Sequence, residues 1–138
     1  VLKLYGIGCL GLIVMGIVGA VWLGKNATRC PPEVDTRIVA PDSAWEAAVF
    51  HYECGFGLKG TTNVSIGPAG AELVTPANLF VAIDSIGVDF LLGKAKRPAL
   101  EVTWEGSDAV LVRYPASAQV ITSHDAVHGI RARYEIRE

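Results

Sequence analysis

Residues 100–114, LEVTWEGSDAVLVRY, carry the pattern that decides the fold class of this chain. Residues 100–105 and 109–114 are runs of β-forming side chains, and Gly106-Ser107-Asp108 between them has turn chemistry, so the stretch predicts a β-hairpin. Downstream, residues 129–138, GIRARYEIRE, alternate without a break. Ile130, Ala132, Tyr134 and Ile136 share one face; Arg131, Arg133, Glu135 and Arg137 share the other. A period of two with one apolar face predicts a half-exposed antiparallel strand. Residues 120–122 offer one more short strand.

The same spacing recurs upstream. After the turn Pro41-Asp42-Ser43, residues 44–54 read AWEAAVFHYEC, with Trp45, Ala47, Val49 and His51 on one face and Glu46, Ala48, Phe50 and Tyr52 on the other. Neither face is cleanly polar, which predicts a central strand covered on both sides. Strands are also predicted at 61–66, 78–84 and 88–92, with a Gly-Pro-Ala-Gly turn at 67–70 and a solvated basic loop, KAKRP, at 94–98. Short strands about every ten residues, with no amphipathic helix among them, argue a small all-β domain over 41–138, an antiparallel sandwich or a strongly twisted sheet.

Ahead of this domain lies an uncharged run at residues 4–23, LYGIGCLGLIVMGIVGAVWL, bounded by Lys3 and by Gly24-Lys25. As a helix it would reach ~30 Å, the thickness of a bilayer's hydrocarbon core, with every backbone polar group bonded internally. The expectation is therefore a single N-terminal transmembrane α-helix, with an anchor at 1–25 and a linker at 26–40, NATRCPPEVDTRIVA. A cleaved signal would have a shorter apolar region and a small-x-small site, which Gly24-Lys25-Asn26 does not provide. Tyr5 and Trp22 stand near the two ends, where amphipathic rings favour the headgroup level. Gly8, Gly11, Met15 and Gly19 fall on one stripe, with the small pair Gly16 and Ala20 beside it. Such a face accepts a neighbouring helix, a pigment or a lipid.

Composition narrows the function classes. Setting aside Lys3 and Lys25, ten basic residues face 14 acidic ones, a net charge near −4 with no basic stripe, which argues against nucleic acid. Flanking charge alone, Lys25, Arg29 and Arg37 against Lys3, slightly favours a cytoplasmic domain. Cysteine usage argues the reverse. Cys9 sits in the apolar run, leaving Cys30 and Cys54 either as a disulfide closing a loop of about 24 residues, worth ~3 kcal/mol, or as two reduced thiols.

A distributed set of residues carries a resemblance. Cys30-Pro-Pro-Glu33-Val34, Ala40-Pro41-Asp42-Ser43, Ala47-Ala48-Val49-Phe50, Glu53-Cys54-Gly55, Asn78-Leu79-Phe80-Val81-Ala82, Val110-Leu111-Val112-Arg113-Tyr114 and Arg131-Ala132-Arg133-Tyr134-Glu135 resemble a family of small bacterial proteins of unknown function that are lipid- or membrane-anchored and usually exported. The family pattern runs from a Cys near Glu-Val, through Ser-Pro-Asp-Gly-Lys, Ala-Val-Val-Phe and Asp-Cys-Gly, to Val-Arg-Val-Arg-Tyr-Glu. This chain departs from it at Ser43-Ala44, where the pattern has Gly-Lys, and at Phe56-Gly57-Leu58 after the second cysteine. The resemblance implies an exported domain with a Cys30–Cys54 bridge, and no activity.

The residues themselves offer little chemistry. His124 and His128 are four apart but lie between strand signals without a third ligand. His51 and Glu53 share a strand face without a nucleophile nearby. Gly55, Gly57 and Gly60 space as G-x-G-x-x-G but open no helix, so the dinucleotide reading fails. No catalytic residue, metal ligand or cofactor site is assigned. The expected role is a non-catalytic accessory or stabilising subunit of an integral membrane complex in the bacterial inner membrane, its β domain periplasmic. Partners would be other membrane subunits and lipid, with a respiratory oxidase or a photosynthetic reaction-centre and antenna assembly as hosts to test first. The alternative is a free-standing, membrane-tethered exported module that binds a small ligand or envelope component.

Overall fold

In a computed structural model of the protein, residues 11–21, 31–52, 60–83, 85–89 and 94–138 are described. The chain divides into two units, Val1–Cys30 and Pro31–Glu138. In the first unit residues 11–21 form an α-helix, α1. It contains no charged or polar side chain, and Leu12, Ile13, Val14, Met15, Ile17, Val18 and Val21 are all more than half exposed. At ~1.5 Å per residue its length is ~16 Å. No described helix is long and apolar enough to cross a membrane. Tyr5, Gly8, Cys9 and Trp22, which complete the apolar run, lie outside the described residues.

The second unit is a β-sandwich. Its larger sheet holds β1 (Pro32–Val39), β2 (Trp45–Tyr52), β3 (Thr61–Pro68), β4 (Phe80–Ile83) and β9 (Gln119–Ser123), in that spatial order. Its smaller sheet has the order β10 (Ala126–Val127), β11 (Ile130–Arg137), β8 (Ala109–Pro115) and β7 (Glu101–Trp104). A separate two-stranded ribbon pairs β5 (Ser85–Asp89) with β6 (Lys94–Lys96). Between the sheets, Ala47, Val49, Val64, Ile66, Phe80 and Ala82 meet Val102, Val110, Val112 and Ile130 in one buried cluster. Burying each of the larger of these side chains contributes ~1.5–3 kcal/mol. Trp104 closes one flank, its indole N–H donating to the Ile38 carbonyl at 2.8 Å, which ties the smaller sheet to the edge strand β1.

The hairpin at 100–114 forms as its pattern predicts, β7 antiparallel to β8. β2 is central, and its residues 46–51 are all buried, as two-sided covering requires. Four expectations need correction. The stretch read as a linker is, from Pro32 to Val39, strand β1, paired with β2 through Pro32↔Tyr52 and Val39↔Glu46 around a bulge at Asp35. Charge at Glu33, Asp35 and Arg37 concealed it, because an edge strand with seven exposed residues needs no apolar face. β11 runs parallel to β8, Arg131↔Ala109 through Arg137↔Pro115, and is antiparallel only to the two residues of β10. Alternation specifies a face and not a direction, and the excursion through β9 and β10 is long enough for a crossover. Ile136, expected in the core, is 60% exposed because it lies where the smaller sheet runs out. Finally, part of the basic loop, Lys94–Lys96, is strand β6, and its partner β5 starts three residues before the strand expected at 88–92.

The registers gather several strand termini at one end of the sandwich. Pro32 pairs with Tyr52, Tyr52 with Thr61, Thr61 with Ile83 and Ile83 with Gln119. β8 ends there too, since a tight turn in which the Ala118 N–H donates to the Pro115 carbonyl leads straight into β9. The parallel β11 therefore brings Ile136 and Arg137 to the same end. This is also where the chain enters the domain, at Pro31.

At the opposite end two turns carry non-glycine residues in the left-handed region. His128 (φ 52°) and Gly129 (φ 78°) are the paired positive-φ residues that a two-residue hairpin turn requires, and the His128 ring stacks on Trp45 at 5.2 Å. Ser43 (φ 62°) follows a turn in which its N–H donates to the Ala40 carbonyl, while the Ala44 N–H donates to Asp42 Oδ1. A left-handed non-glycine residue costs ~1–2 kcal/mol. Ser43→Gly should therefore raise stability by roughly 0.5–1 kcal/mol, read as a higher urea midpoint with unchanged slope.

Candidate functional site

The helix residues expected to form a packing face are described from Gly11 onward. Gly11, Met15, Gly16, Gly19 and Ala20 all belong to α1, and a Cβ placed on Gly11, Gly16 or Gly19 would meet nothing within 4 Å. Within α1 the glycines leave room beside the helix. Met15, 78% exposed, stands between Gly11 and Gly19. In water such an exposed apolar helix would be costly, whereas lipid or another apolar helix would match it on every side.

In the sandwich, the outer face of the larger sheet carries a polar layer that no local pattern in the sequence announces. Glu46, 6% exposed, pairs with Arg37 across β1 and β2, and its second oxygen accepts the Gly70 N–H at 3.3 Å. Arg37 also donates to the Ala71 carbonyl at 3.3 Å. The solvent-exposed Arg37 offsets the cost of burying the Glu46 carboxylate, and the pair pins the turn after β3 onto the sheet. Ser65 Oγ donates to the Val74 carbonyl at 2.9 Å, and Gly67 sits so close to that segment that a Cβ would come within 3.0 Å of Val74 Cγ2. Arg37, Glu46, Ser65, Gly67 and Val74, with Ala48, Glu72 and Leu73, line a shallow cleft of about 10 Å³, room for about one water. Small-molecule sites usually occupy ~300–1,000 Å³.

Asn78 extends this layer. Its Oδ1 accepts the Ile66 N–H at 2.8 Å and its Nδ2 donates to the Ile66 carbonyl at 2.8 Å, so the side-chain amide replaces the strand neighbour that β4, beginning at Phe80, does not provide. The signal was present in the sequence only as an Asn opening an apolar run.

The histidines separate. His51 is buried, with Nδ1 3.3 Å from Thr62 Oγ1 and Nε2 3.4 Å from Asp35 Oδ2. The second contact is at ionic range without hydrogen-bond alignment, which leaves Nε2 without a hydrogen bond among the described residues. The hydroxyl–imidazole–carboxylate order has the form of a nucleophile relay, but Thr62 is 1% exposed, so no substrate carbonyl reaches its oxygen. His128 stacks on Trp45, and His124 acts through its backbone: its N–H donates to the Leu79 carbonyl and its carbonyl accepts the Tyr134 hydroxyl at 2.7 Å. The two do not converge, and no cluster of three metal-ligating side chains occurs among the described residues. Cys30, Glu53, Cys54, Gly55 and Gly57 lie outside the described residues.

The water-facing side of the smaller sheet is an ion-pair lattice. Arg113 reaches Glu135 at 2.9 Å and Glu101 at 3.5 Å, Arg133 joins Glu105 and Glu135, Arg137 reaches Glu101 at 3.4 Å and Arg131 reaches Asp108 at 3.2 Å. Beneath these long side chains Leu111, in register with Arg133, is 3% exposed. Arg133's hydrogen bond holds the Glu105 carboxyl below its ordinary value, and Glu135 holds Arg113 above its own. With four cations against four anions, the lattice neutralises itself and leaves no net field for a charged ligand.

Two outcomes test this layer. Asn78→Asp keeps the acceptor but sets a carboxylate oxygen against the Ile66 carbonyl, and should lower stability at neutral pH by about 1–3 kcal/mol in urea titration. Tyr134, wedged against Phe80, has its hydroxyl pushed up to about 12 by burial, with the His124 carbonyl opposing. Because the folded value lies above the unfolded one near ~10, this group's stabilisation is complete below pH ~10 and is lost as pH rises toward 12, a loss that Tyr134→Phe should remove from the alkaline limb of a thermal melt. Compared with known protein families, curated proteins and solved structures, the chain matches none of them.

Proposed function

We propose that this protein is a non-catalytic, membrane-anchored accessory subunit that stabilises an integral membrane complex: residues 4–23 pack laterally against membrane partners or lipid, and the sandwich braces an extramembrane surface. The observation that carries the reading is α1, which is uncharged, apolar around its whole circumference and flattened by Gly11, Gly16 and Gly19. A helix of this kind in a 20-residue uncharged run is stable in lipid and unfavourable in water. The sandwich supports the reading by what occupies its polar residues. Glu46, Asn78, Tyr134 and the lattice arginines are all engaged in holding strands and turns together. The free-standing binding module is the second reading; among the described residues the cleft beside Glu46 has room for about one water.

Placement on the periplasmic side rests on the Cys30–Cys54 bridge that the family resemblance implies, since such a bridge would require an oxidising compartment.

Two measurements test the proposal. Extraction in mild detergent followed by native electrophoresis should find the chain co-migrating with larger membrane proteins, and migration alone at its own mass sinks the subunit reading. Thiol alkylation before and after reduction should add two further labels after reduction; full labelling of both cysteines without reductant would move the domain to the cytoplasmic side.

A further inference from the structure

We infer that the end of the sandwich where the chain enters is a lipid-contacting surface, with Ile136 and Val120 as its apolar contacts. This rests on the membrane-anchored reading above. Both residues continue the inward-facing rows of their sheets: Val120 pairs with buried Ala82, and Ile136 follows Ile130, Ala132 and Tyr134 along β11. At this end the two sheets run out, so their last inward side chains face outward. Ile136 is 60% exposed and Val120 37%, beside the Pro115 turn that joins the two sheets. Apolar residues left exposed at the rim of a core are unfavourable in water but suit the boundary between headgroups and acyl chains.

Two observations select the bilayer as occupant. Chain connectivity comes first: residues 24–30 separate the uncharged run from Pro31, and seven residues span at most ~25 Å, so this end stays within reach of the headgroups that border the run. Tethering at that distance makes weak contacts sufficient, because the surface is always at high effective concentration. Charge comes second. Around the end Arg97 meets Glu33 at 3.4 Å and Arg137 meets Glu101 at 3.4 Å. Paired charges of both signs match zwitterionic headgroups better than a strongly acidic or basic protein surface. At the opposite end Val39, on the edge strand β1, is 50% exposed, so exposure alone does not select between the ends and the tether does.

The test uses the full chain in phosphatidylcholine vesicles. An environment-sensitive fluorescent amino acid is incorporated in place of Ile136, in place of Val120, or in place of Ser107 as the distal control. Lipids carrying a headgroup nitroxide should quench positions 136 and 120 by about twofold or more and leave position 107 unchanged. Equal quenching at all three positions overturns the inference. So does shielding of position 136 from aqueous iodide that arises only in the isolated host complex and is insensitive to lipid nitroxide, which would mark a protein contact instead. A chain that fails to float with the vesicles overturns the membrane-anchored reading itself, an outcome distinct from the other two.

Discussion

The structure depends on one constraint: β2 and β3 are buried on both faces, so any polar side chain they carry needs a partner within the fold. Residues 46–51 and 62–67 are buried in succession, and Glu46, His51, Thr62, Asn63 and Ser65 are among them. Leaving such groups unpaired would cost about 1–3 kcal/mol each. The fold answers by laying the segment after β3 across the outer face, where Gly70, Ala71 and Val74 supply backbone partners and Asn78 satisfies Ile66. Asn63 turns inward on its own sheet, donating to the Thr61 and Phe50 carbonyls. The loop is thus held by the residues whose burial it permits.

The smaller sheet solves a different problem. Its inner face is aliphatic, and its outer face meets water through arginine and carboxylate ladders. Individual exposed ion pairs add little stability, but a connected lattice covers Leu111 with side-chain stems and keeps a regular sheet surface from pairing with another. Aromatic contacts link the two sheets: Phe80 lies 5.4 Å from Tyr114 and 5.8 Å from Tyr134, and the Tyr134 hydroxyl ties β11 to the connection after β9. Among the described residues, Glu46, Ser65, Asn78, Tyr134 and the lattice arginines hold the domain's own strands and turns together.

The proposed accessory role places different demands on the two chain segments. An uncharged helix flattened by glycines gains from neighbours that a monomer in water lacks. The edge strand β1, through which the chain enters the sandwich, is anchored by Trp104 and by the Arg37–Glu46 pair.

Periodicity made much of the sandwich legible: the β7–β8 hairpin, two-sided burial of β2, and the inward row Ile130, Ala132 and Tyr134 all follow from alternation, because a strand's side chains must point to opposite faces. Lack of charge likewise marked residues 4–23 as apolar throughout. Tertiary structure alone decided strand direction and edge membership. The parallel β8–β11 pair and the strand character of Pro32–Val39 depend on which elements lie alongside, and no local pattern encodes a neighbour. It also decided the candidate site's polar layer, since Arg37, Glu46 and Asn78 are distant in sequence from the backbone groups they satisfy. Sequence dictates which face of an element seeks burial; only the assembled chain determines what that face is buried against.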